Sequence, residues 1–253
     1  MILPEMPSMS LDGKVALITG ASSGIGQGAA VALAQTGAHV LCAARGKERL
    51  LETVEQLLGK GWKAEAFILD VTDQAKVEDL FSKNKIDIVV NSAGLARHSP
   101  ALETSSEDFD DVMDVNLKSA YFLSSIAARA MIEGKIKGSI IHVSSQMAYV
   151  GGIDRAVYSA SKHALEGMIK SMAIEWGDKG IRINSVCPTF IRTPLTEPTF
   201  QNPERVKWIK EKIKLGRVGT VPDVMGAIFY LASDLSELVT GTSILVDGGW
   251  TAD

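Results

Sequence analysis

The sequence predicts a single-domain α/β protein with a Rossmann-like, doubly wound parallel sheet and helices on both faces. Strand-like runs alternate with helix-like runs along the 253-residue chain, which is the pattern of repeated right-handed βαβ units. Runs such as IDIVVN (86–91) and SIIHV (139–143) are continuously apolar and β-branched, as in strands that are covered on both faces. α/β folds of this length often form one domain.

The strand-like runs and the helical patterns between them can be placed in order along the chain. The predicted strands are VALIT (15–19), HVLCAA (39–44), AEAFILD (64–70), IDIVVN (86–91), GSIIHVSS (138–145), IRINSVC (181–187) and SILVD (243–247). Helices are expected up to about residue 36, over 47–58, 73–83, 106–130 and 156–177, and as two helices within 203–233. Ser105 followed by Asp108 gives the long fourth helix an S-x-x-D start signal.

The composition is that of a soluble globular protein without a nucleic-acid or membrane partner. The chain is 46% apolar and 22% charged, and its formal net charge is −4. Acidic and basic residues are mixed, so no basic footprint for nucleic acid appears, and no apolar run reaches the ~18 residues of a membrane span. The start MILPEMPSMS lacks a basic region and is broken by prolines, so we expect residues 1–10 to be a weakly ordered extension rather than a secretory signal. Residues 11–253 are the expected domain.

The cysteines and histidines do not suggest disulfide or metal chemistry. Cys42 and Cys187 lie in apolar strand-like runs, which indicates buried thiols in a reducing compartment. We therefore expect a cytoplasmic protein. The four histidines are scattered, at positions 39, 98, 142 and 163, without the spacing of metal ligands, so no catalytic metal is expected.

A glycine-rich turn follows the first predicted strand. It reads TGASSGIGQG over 19–28, and its glycines fall as G-x-x-x-G-x-G at Gly20, Gly24 and Gly26. Glycine permits a tight turn and close approach of the backbone to a pyrophosphate, which the N–H groups of a helix N-terminus can bind. The context of strand before and helix after favours phosphate binding over a plain βα loop.

The end of the second strand carries the signal for the type of dinucleotide. An acidic residue there would bond the ribose 2′-hydroxyl of NAD, whereas an arginine accommodates the 2′-phosphate of NADP. The chain has Arg45 and no acid at this point. NADP is therefore the preferred cofactor, with NAD possible, and the alternative is that Arg45 merely starts the next helix.

The stretch YSASK places Tyr158 and Lys162 four residues apart on a predicted helix. Both side chains are protonated in neutral water, with reference pKa values of about 10 and 10.4, and this spacing puts them on one helix face. Taken alone, the pair also fits an aromatic ring packed under a lysine stem.

Together, the motifs resemble the short-chain dehydrogenase/reductase family in its branch of about 250 residues. The resemblance covers almost everything after Leu11, in order: TGASSGIG (19–26), LDV (69–71), NSAG (91–94), Asn116 in VNLK, Ser144-Ser145, YSASK (158–162), NSVCPT (184–189) and VDGG (246–249). Two departures are NSAG where the family often has NNAG, and Pro188-Thr189 where it has proline-glycine. Thr189 alters the backbone beside the nicotinamide, although its hydroxyl could bond the cofactor carboxamide.

The resemblance implies a catalytic tetrad of Asn116, Ser145, Tyr158 and Lys162. Tyr158 would be the acid in carbonyl reduction and the base in alcohol oxidation, with Lys162 favouring the phenolate and holding the nicotinamide ribose. Ser145, with Ser144 as the alternative, would bond the substrate oxygen, and Asn116 would hold a water in a proton relay. The implied cofactor-binding residues are Gly20, Ser22, Ser23, Gly24, Ile25, Gly26, Arg45, Asp70, Val71, Asn91, Ala93, Gly94, Tyr158, Lys162, Pro188, Thr189, Ile191 and Thr193.

Substrate choice should reside in the loops after the fourth and fifth strands and in a lid over about 193–215. Cationic or basic side chains in these segments, which suit a carboxylate, are Arg97, His98, Arg155 and Arg192. The expected activity is hydride transfer between NADP(H) and a secondary alcohol or ketone of a sugar, polyol or sugar acid. Alternatives are a 3-oxoacyl-thioester reductase, a non-catalytic dinucleotide-binding sensor, and, for Arg97 and Arg192, simple pairing with acids such as Glu103 and Glu197. By resemblance the protein is a homotetramer.

Overall fold

A computed structural model describes residues 3–253 of the chain. Within these residues, seven strands form one fully parallel sheet in the order β3-β2-β1-β4-β5-β6-β7. The strands are β1 (Val15–Thr19), β2 (His39–Ala44), β3 (Ala64–Ile68), β4 (Ile88–Asn91), β5 (Ser139–Val143), β6 (Arg182–Pro188) and β7 (Ser243–Val246). The order reverses between β1 and β4, so the sheet is doubly wound and the predicted fold class is confirmed.

Helices connect the strands and cover both faces of the sheet. They are α1 (Gly24–Gln35), α2 (Lys47–Gly59), α3 (Gln74–Lys83), α4 (Ser106–Met113), α5 (Ser119–Glu133), α6 (Ala156–Trp176), α7 (Glu197–Phe200), α8 (Pro203–Lys212) and α9 (Val221–Ala232). The predicted strand ends differ from the observed ones by at most two residues. The fourth predicted helix is interrupted, because a π-helical segment (Asp114–Lys118) joins α4 to α5. Its predicted start is correct, since the Ser105 hydroxyl accepts a hydrogen bond from the Asp108 N–H.

The core consists of two apolar layers, one on each face of the sheet. Helices α1, α2 and α9 contribute Leu33, Leu50 and Ile228 to the first layer. Helices α3, α5 and α6 contribute residues such as Leu123 and Ile169 to the second. Both layers are almost fully excluded from solvent, so the hydrophobic effect fixes the sheet and the carboxyl ends of its strands.

Hydrogen bonds between side chains join the first and fourth strands where the strand order reverses. The Thr19 hydroxyl donates to Asn91 Oδ1 at 2.6 Å and accepts from the Ala93 N–H at 3.2 Å. Ligands of open α/β sheets bind at this edge, at the point of reversal. These bonds hold the two loops that border it.

The first described residues do not contribute to the sheet or to the helices. Residues 3–10 are exposed and belong to no helix or strand, and residues 1 and 2 of the expected extension lie outside the described residues. The assignment of 11–253 to one domain stays a prediction. No helix between residues 3 and 253 combines the length and apolar character that crossing a bilayer requires.

Candidate active site

A cavity of about 430 Å³ opens at the carboxyl edge of the sheet. The sequence-predicted cofactor residues that line it are Gly20, Ser22, Ser23, Gly24, Ile25, Arg45, Asp70, Val71, Ala93, Gly94, Tyr158, Lys162, Pro188, Thr189, Ile191 and Thr193. Gly26 and Asn91 are buried and do not line the cavity surface. The structure thus brings together segments that are up to about 170 residues apart in the sequence.

The glycine turn is shaped by close backbone contacts. Gly20 has a φ of +67°, and a Cβ there would lie 2.8 Å from the carbonyl oxygen of Ser92. A Cβ at Gly26 would overlap the carbonyl oxygen of Gly20. Helix α1 begins at Gly24 with no acidic residue in its first turn and no side-chain cap from Ser23. Its N–H groups can therefore bind a pyrophosphate.

Another part of the cavity lining has a polar atom without a partner. The Thr189 hydroxyl oxygen is buried and makes no hydrogen bond to any residue in the described part of the chain. Such an atom needs a partner from water or a ligand. The glycine turn and this hydroxyl line one cavity and fit a dinucleotide that has phosphates at one point and a polar group at another.

Arg45 lies at the outer rim of the cavity. Its side chain is 73% exposed, and its Nη1 is 3.9 Å from Asp70 Oδ2. Burial alone would raise the pKa of Asp70, but hydrogen bonds from Thr72 and the charge of Arg45 lower it overall. Arg45 is thus oriented by a carboxylate while most of its guanidinium stays accessible to a second anion.

Asn116 connects the interrupted helix to the loop after β4. It lies buried in the π-helical segment, where its Oδ1 accepts from the Leu95 N–H at 2.8 Å and its Nδ2 donates to the Leu95 carbonyl at 2.9 Å. Nδ2 is also 3.1 Å from the Ser161 hydroxyl. Leu95 lines the cavity directly after NSAG, and no motif in the sequence indicates that Asn116 holds it.

Tyr158 and Lys162 share one face of α6, as predicted, and meet the end of β5. Lys162 is buried, its ammonium donates to the Val143 carbonyl at 3.1 Å, and its Nζ lies 5.7 Å from the centroid of the Tyr158 ring. Burial lowers the pKa of Lys162 to about 8. The site therefore contains a desolvated cation beside a phenol.

The pKa of Tyr158 differs from the sequence-based expectation. Lys162 was expected to favour the phenolate, but burial raises the pKa of Tyr158, and the opposing influences are the Ser145 hydroxyl and then the Arg155 charge. The physical reason is desolvation, which penalises the phenolate more than these neighbours stabilise it. The raised pKa means that the phenol is protonated near neutral pH.

Ser145, not Ser144, is the serine that interacts with Tyr158. The Ser145 hydroxyl accepts from the Met147 N–H at 3.1 Å, which fixes it at the start of a short 3₁₀ turn (Gln146–Ala148), and it also interacts with the Tyr158 hydroxyl. The Ser144 N–H is part of the sheet, because it donates to the Val186 carbonyl at 2.8 Å. Of the tetrad predicted from the sequence, Ser145, Tyr158 and Lys162 line the cavity, whereas Asn116 is buried behind the lining residue Leu95.

The four residues predicted to contact substrate separate into two pairs. His98 packs edge-on against the Tyr158 ring at 6.0 Å between centroids, and Arg155, which is 9% exposed, is close enough to affect the pKa of both. Loss of hydration and then the Arg155 charge lower the pKa of His98 to about 4. His98 is therefore a neutral imidazole near neutral pH.

Arg97 and Arg192 instead pair with acids. Arg97 lies 3.4 Å from Asp108 and 3.5 Å from Asp111, rather than beside the Glu103 considered from the sequence. Arg192 lies 3.4 Å from Glu197, the other acid considered there. Its guanidinium also covers the Phe200 ring at 4.6 Å.

The segment expected to form a lid contains the short helices α7 and α8, and three of its residues reach the cavity. Besides Thr193, these are Leu195 and Thr196, which the sequence analysis did not single out. Their position directly after the PTFIRT stretch was the available signal. The Thr196 hydroxyl donates to the Ile191 carbonyl at 2.6 Å, which ties the start of this segment to the cavity wall.

A doubly wound sheet with a phosphate-binding turn at its point of reversal and a tyrosine–lysine pair at the same edge defines a dinucleotide-dependent oxidoreductase. A family model described as enoyl-(acyl carrier protein) reductase matches residues 20–251. The chain belongs to the short-chain dehydrogenase/reductase family. It is an NAD(P)-dependent enzyme acting on CH–OH groups, as predicted.

Individual relatives span the whole chain. The 2-dehydro-3-deoxy-D-gluconate 5-dehydrogenase of Escherichia coli strain K12 is 37% identical over 252 residues, or 98% of this chain and 99% of that protein. A 3-oxoacyl-(acyl carrier protein) reductase of Thermotoga maritima is 38% identical over 95% of this chain and 99% of that protein. A crystal structure of a gluconate 5-dehydrogenase from Burkholderia cenocepacia, in complex with NADP and tartrate, is 31% identical, has a TM-score of 0.93, and covers 97% of this chain and 98% of its own.

Proposed function

We propose that this enzyme transfers a hydride between NADP(H) and a secondary alcohol or ketone of a sugar acid or closely related polyol. The observation that carries the substrate class is Arg155. This cation is 9% exposed beside Tyr158, and no ion pair or side-chain hydrogen bond within residues 3–253 involves its guanidinium. Burial and then the charge of Arg205 lower the pKa of Arg155, and the charge of Asp154 acts against them without an ion pair. A buried charge without a contacting counter-ion is costly, so we take the carboxylate of a substrate as its partner.

The relatives support the same substrate class. Two carry names of gluconate or dehydro-deoxy-gluconate dehydrogenases, and the solved one was crystallised with tartrate, which is itself a hydroxylated carboxylate. Arginine binds a carboxylate through two parallel hydrogen bonds. We assign this contact to Arg155, with His98 as a neutral neighbour that can donate to a substrate hydroxyl or accept from it.

Proton transfer is assigned to Tyr158. In reduction its hydroxyl donates a proton to the carbonyl oxygen, and in oxidation the phenolate takes the proton of the alcohol. The raised pKa of Tyr158 keeps this proton available in the resting enzyme. Ser145 bonds the same substrate oxygen and fixes its distance from Tyr158. When bound, NADP(H) supplies or accepts the hydride.

Lys162 and Asn116 support this proton transfer in different ways. Lys162 stabilises the phenolate once the proton has left and holds the nicotinamide ribose. Asn116 positions the loop after β4 through its two bonds to Leu95. The family resemblance implies that Asn116 also holds a water of the proton relay. In this structure the same side chain bonds to Leu95.

The preference for NADP over NAD is assigned to Arg45. A 2′-phosphate at the rim would compete with Asp70 for the guanidinium, whose distance of 3.9 Å from Asp70 Oδ2 is too long for a strong hydrogen bond. Gly24, Ser23 and Ser22 then hold the pyrophosphate, and Thr189 bonds the carboxamide end.

A direct spectrophotometric assay of NADPH oxidation with a panel of ketones tests this function. We expect NADPH oxidation with keto-sugar acids at a kcat/KM at least tenfold above that with an acetoacetyl thioester, which the Thermotoga relative makes the main competitor. Higher turnover of the thioester would favour the 3-oxoacyl-thioester reductase. NADPH binding without turnover of any ketone would favour a dinucleotide sensor.

We further propose a cytoplasmic homotetramer. Both cysteines are free and buried, as in proteins of a reducing compartment. A groove between the α4–α5 segment and α6 is lined by Tyr121, Phe122 and Met168, and closed symmetry would cover it with the same face of another copy. A monomer mass in light scattering at micromolar concentration would refute the tetramer.

A further inference from the structure

A buried carboxylate lies behind the tyrosine–lysine pair and has no role in the steps above. Glu166 is 6% exposed on α6. It follows Lys162 by four residues and Tyr158 by eight, so all three side chains lie along one face of the helix. A carboxylate at such a site is expensive to bury and requires compensation.

Neutral donors from two strands hold this carboxylate in place. Its Oε2 accepts from the Ser185 hydroxyl at 2.9 Å and from the Ser243 hydroxyl, and its Oε1 is 3.5 Å from the Cys187 thiol. Ser185 and Cys187 belong to β6 and Ser243 to β7. None of the ion pairs in the described part of the chain includes Glu166. Hydrogen bonding is therefore satisfied, but the negative charge has no contacting cation.

Lys162, the functional cation on this face, precedes Glu166 by one helical turn. The groups that face Lys162 are Tyr158 and Glu166 on α6, Cys187 on β6 and His142 on β5. Glu166 also faces Tyr149, whose pKa is raised by burial and then by Glu166, so this phenol is neutral. Burial raises the pKa of the Cys187 thiol to about 12 and lowers that of His142 to about 3, so both are neutral in the working range. Among these residues, Glu166 is left as the negative charge that opposes the desolvation of Lys162.

We propose that Glu166 is a positioning residue that keeps the Lys162 ammonium charged and thereby sets the pH range in which Tyr158 transfers its proton. The inference rests on the proposed roles of Tyr158 and Lys162. A nearby negative charge raises the pKa of a lysine and of a tyrosine alike. Removal of the Glu166 charge should therefore move the ionisation of Lys162 to lower pH, and with it the alkaline limit of activity.

The test is Glu166→Gln, which keeps a polar group of the same size and removes the charge. For ketone reduction by NADPH, we expect the alkaline limb of the kcat profile to move down by about one pH unit. NADPH affinity, followed by its fluorescence, should begin to weaken at a correspondingly lower pH. Glu166→Asp retains the charge and should restore the wild-type limb.

Two comparisons separate this role from a merely structural one. Glu55→Gln makes the same chemical change at an exposed position of α2 and should leave both profiles unchanged. Suppose that Glu166→Gln lowers Tm and leaves the pH dependence of kcat and of NADPH binding as in the wild type. Glu166 would then only connect α6 to β6 and β7, and the proposal would be overturned. If this variant does not fold, Glu166→Met provides the same comparison.

The NADPH-binding profile also separates this inference from the proposed function. It requires no substrate, so it tests Glu166 even if the wild type reduces no keto-sugar acid. A wild type without ketone turnover would sink the proposed function alone. An active wild type whose Glu166→Gln variant has unshifted binding and rate profiles would sink the role of Glu166 alone.

Discussion

The two ends of the cleft are built in different ways. At the cofactor end, buried polar groups bond to one another between strands and loops, as Thr19 does to Asn91 and Asn116 to Leu95. In the segments expected to choose the substrate, Arg97 and Arg192 lie in half-exposed ion pairs and do not line the cavity. Such pairs contribute only about 0–1 kcal/mol each. The cofactor end is therefore held by buried hydrogen bonds that belong to the fold, whereas we expect substrate choice to depend on a few side chains that can change without disturbing it.

The largest expected effect comes from the residue where the two ends meet. Tyr158→Phe removes the hydroxyl that donates or accepts the proton, and we expect kcat to fall by about 10³-fold. NADPH affinity and Tm should stay close to the wild-type values, because the ring and its packing are kept. Steady-state kinetics with fluorescence titration measures both. If the variant keeps a large fraction of wild-type kcat, Tyr158 is not the group that transfers the proton.

The substrate end should respond unequally to the loss of its two arginines. Arg155→Ala removes a buried cation, and we expect KM for the best sugar-acid substrate to rise about 10- to 100-fold, as for a lost hydrogen bond to a charged group. Arg97→Ala is the matched control, because its charge is already paired with Asp108 and Asp111, and KM should change less than about twofold. Equal increases in KM for the two variants would contradict the claim that Arg155 binds the substrate and Arg97 does not.

Beneath the cofactor end, His142 makes the fold sensitive to acid. Its Nε2 is 2.8 Å from the Ser124 hydroxyl, and burial lowers its pKa to about 3. The unfolded chain binds a proton at this histidine below a pH of about 6.5, while the folded chain stays neutral there until about pH 3. Stability should therefore fall as pH decreases through this window, by about 2 kcal/mol between pH 7 and pH 5 from this group.

Urea unfolding at several pH values measures this contribution. His142→Gln should have a flatter dependence of unfolding free energy on pH than the wild type. His163→Gln, at an exposed position of α6, should retain the wild-type slope. An unchanged slope in His142→Gln would mean that another group is responsible for acid sensitivity.

The smallest expected effect lies at the rim of the cofactor end. Arg45→Asp places a second carboxylate near Asp70 and the 2′-phosphate site, so kcat/KM for NADPH should fall about tenfold and approach that for NADH. The matched measurement is the kcat/KM for NADPH divided by the kcat/KM for NADH in the wild type, and this ratio should exceed one. A wild type that prefers NADH would contradict the assignment of Arg45.

Most residues that the sequence assigns to cofactor binding line one cavity, and there is a physical reason why the sequence could indicate them. The glycine turn at Gly20 and Gly26 must accommodate close backbone contacts, and the strand runs must be apolar on both faces, so both leave local signals. The clamp of Asn116 on Leu95 and the burial of Glu166 leave none, because they depend on residues from distant segments. The same holds for Arg97, whose partners Asp108 and Asp111 become neighbours only after the β4–α4 loop has folded back.

The measurement that tests the account most directly compares a keto-sugar acid with its uncharged methyl ester, using NADPH, in the wild type and in Arg155→Ala. We predict that the wild type prefers the free acid by at least about tenfold in kcat/KM, and that Arg155→Ala loses this preference mainly through weaker use of the acid. An ester that reacts as well as the acid in the wild type, or a preference that survives in Arg155→Ala, would contradict the claim that a buried arginine selects the substrate.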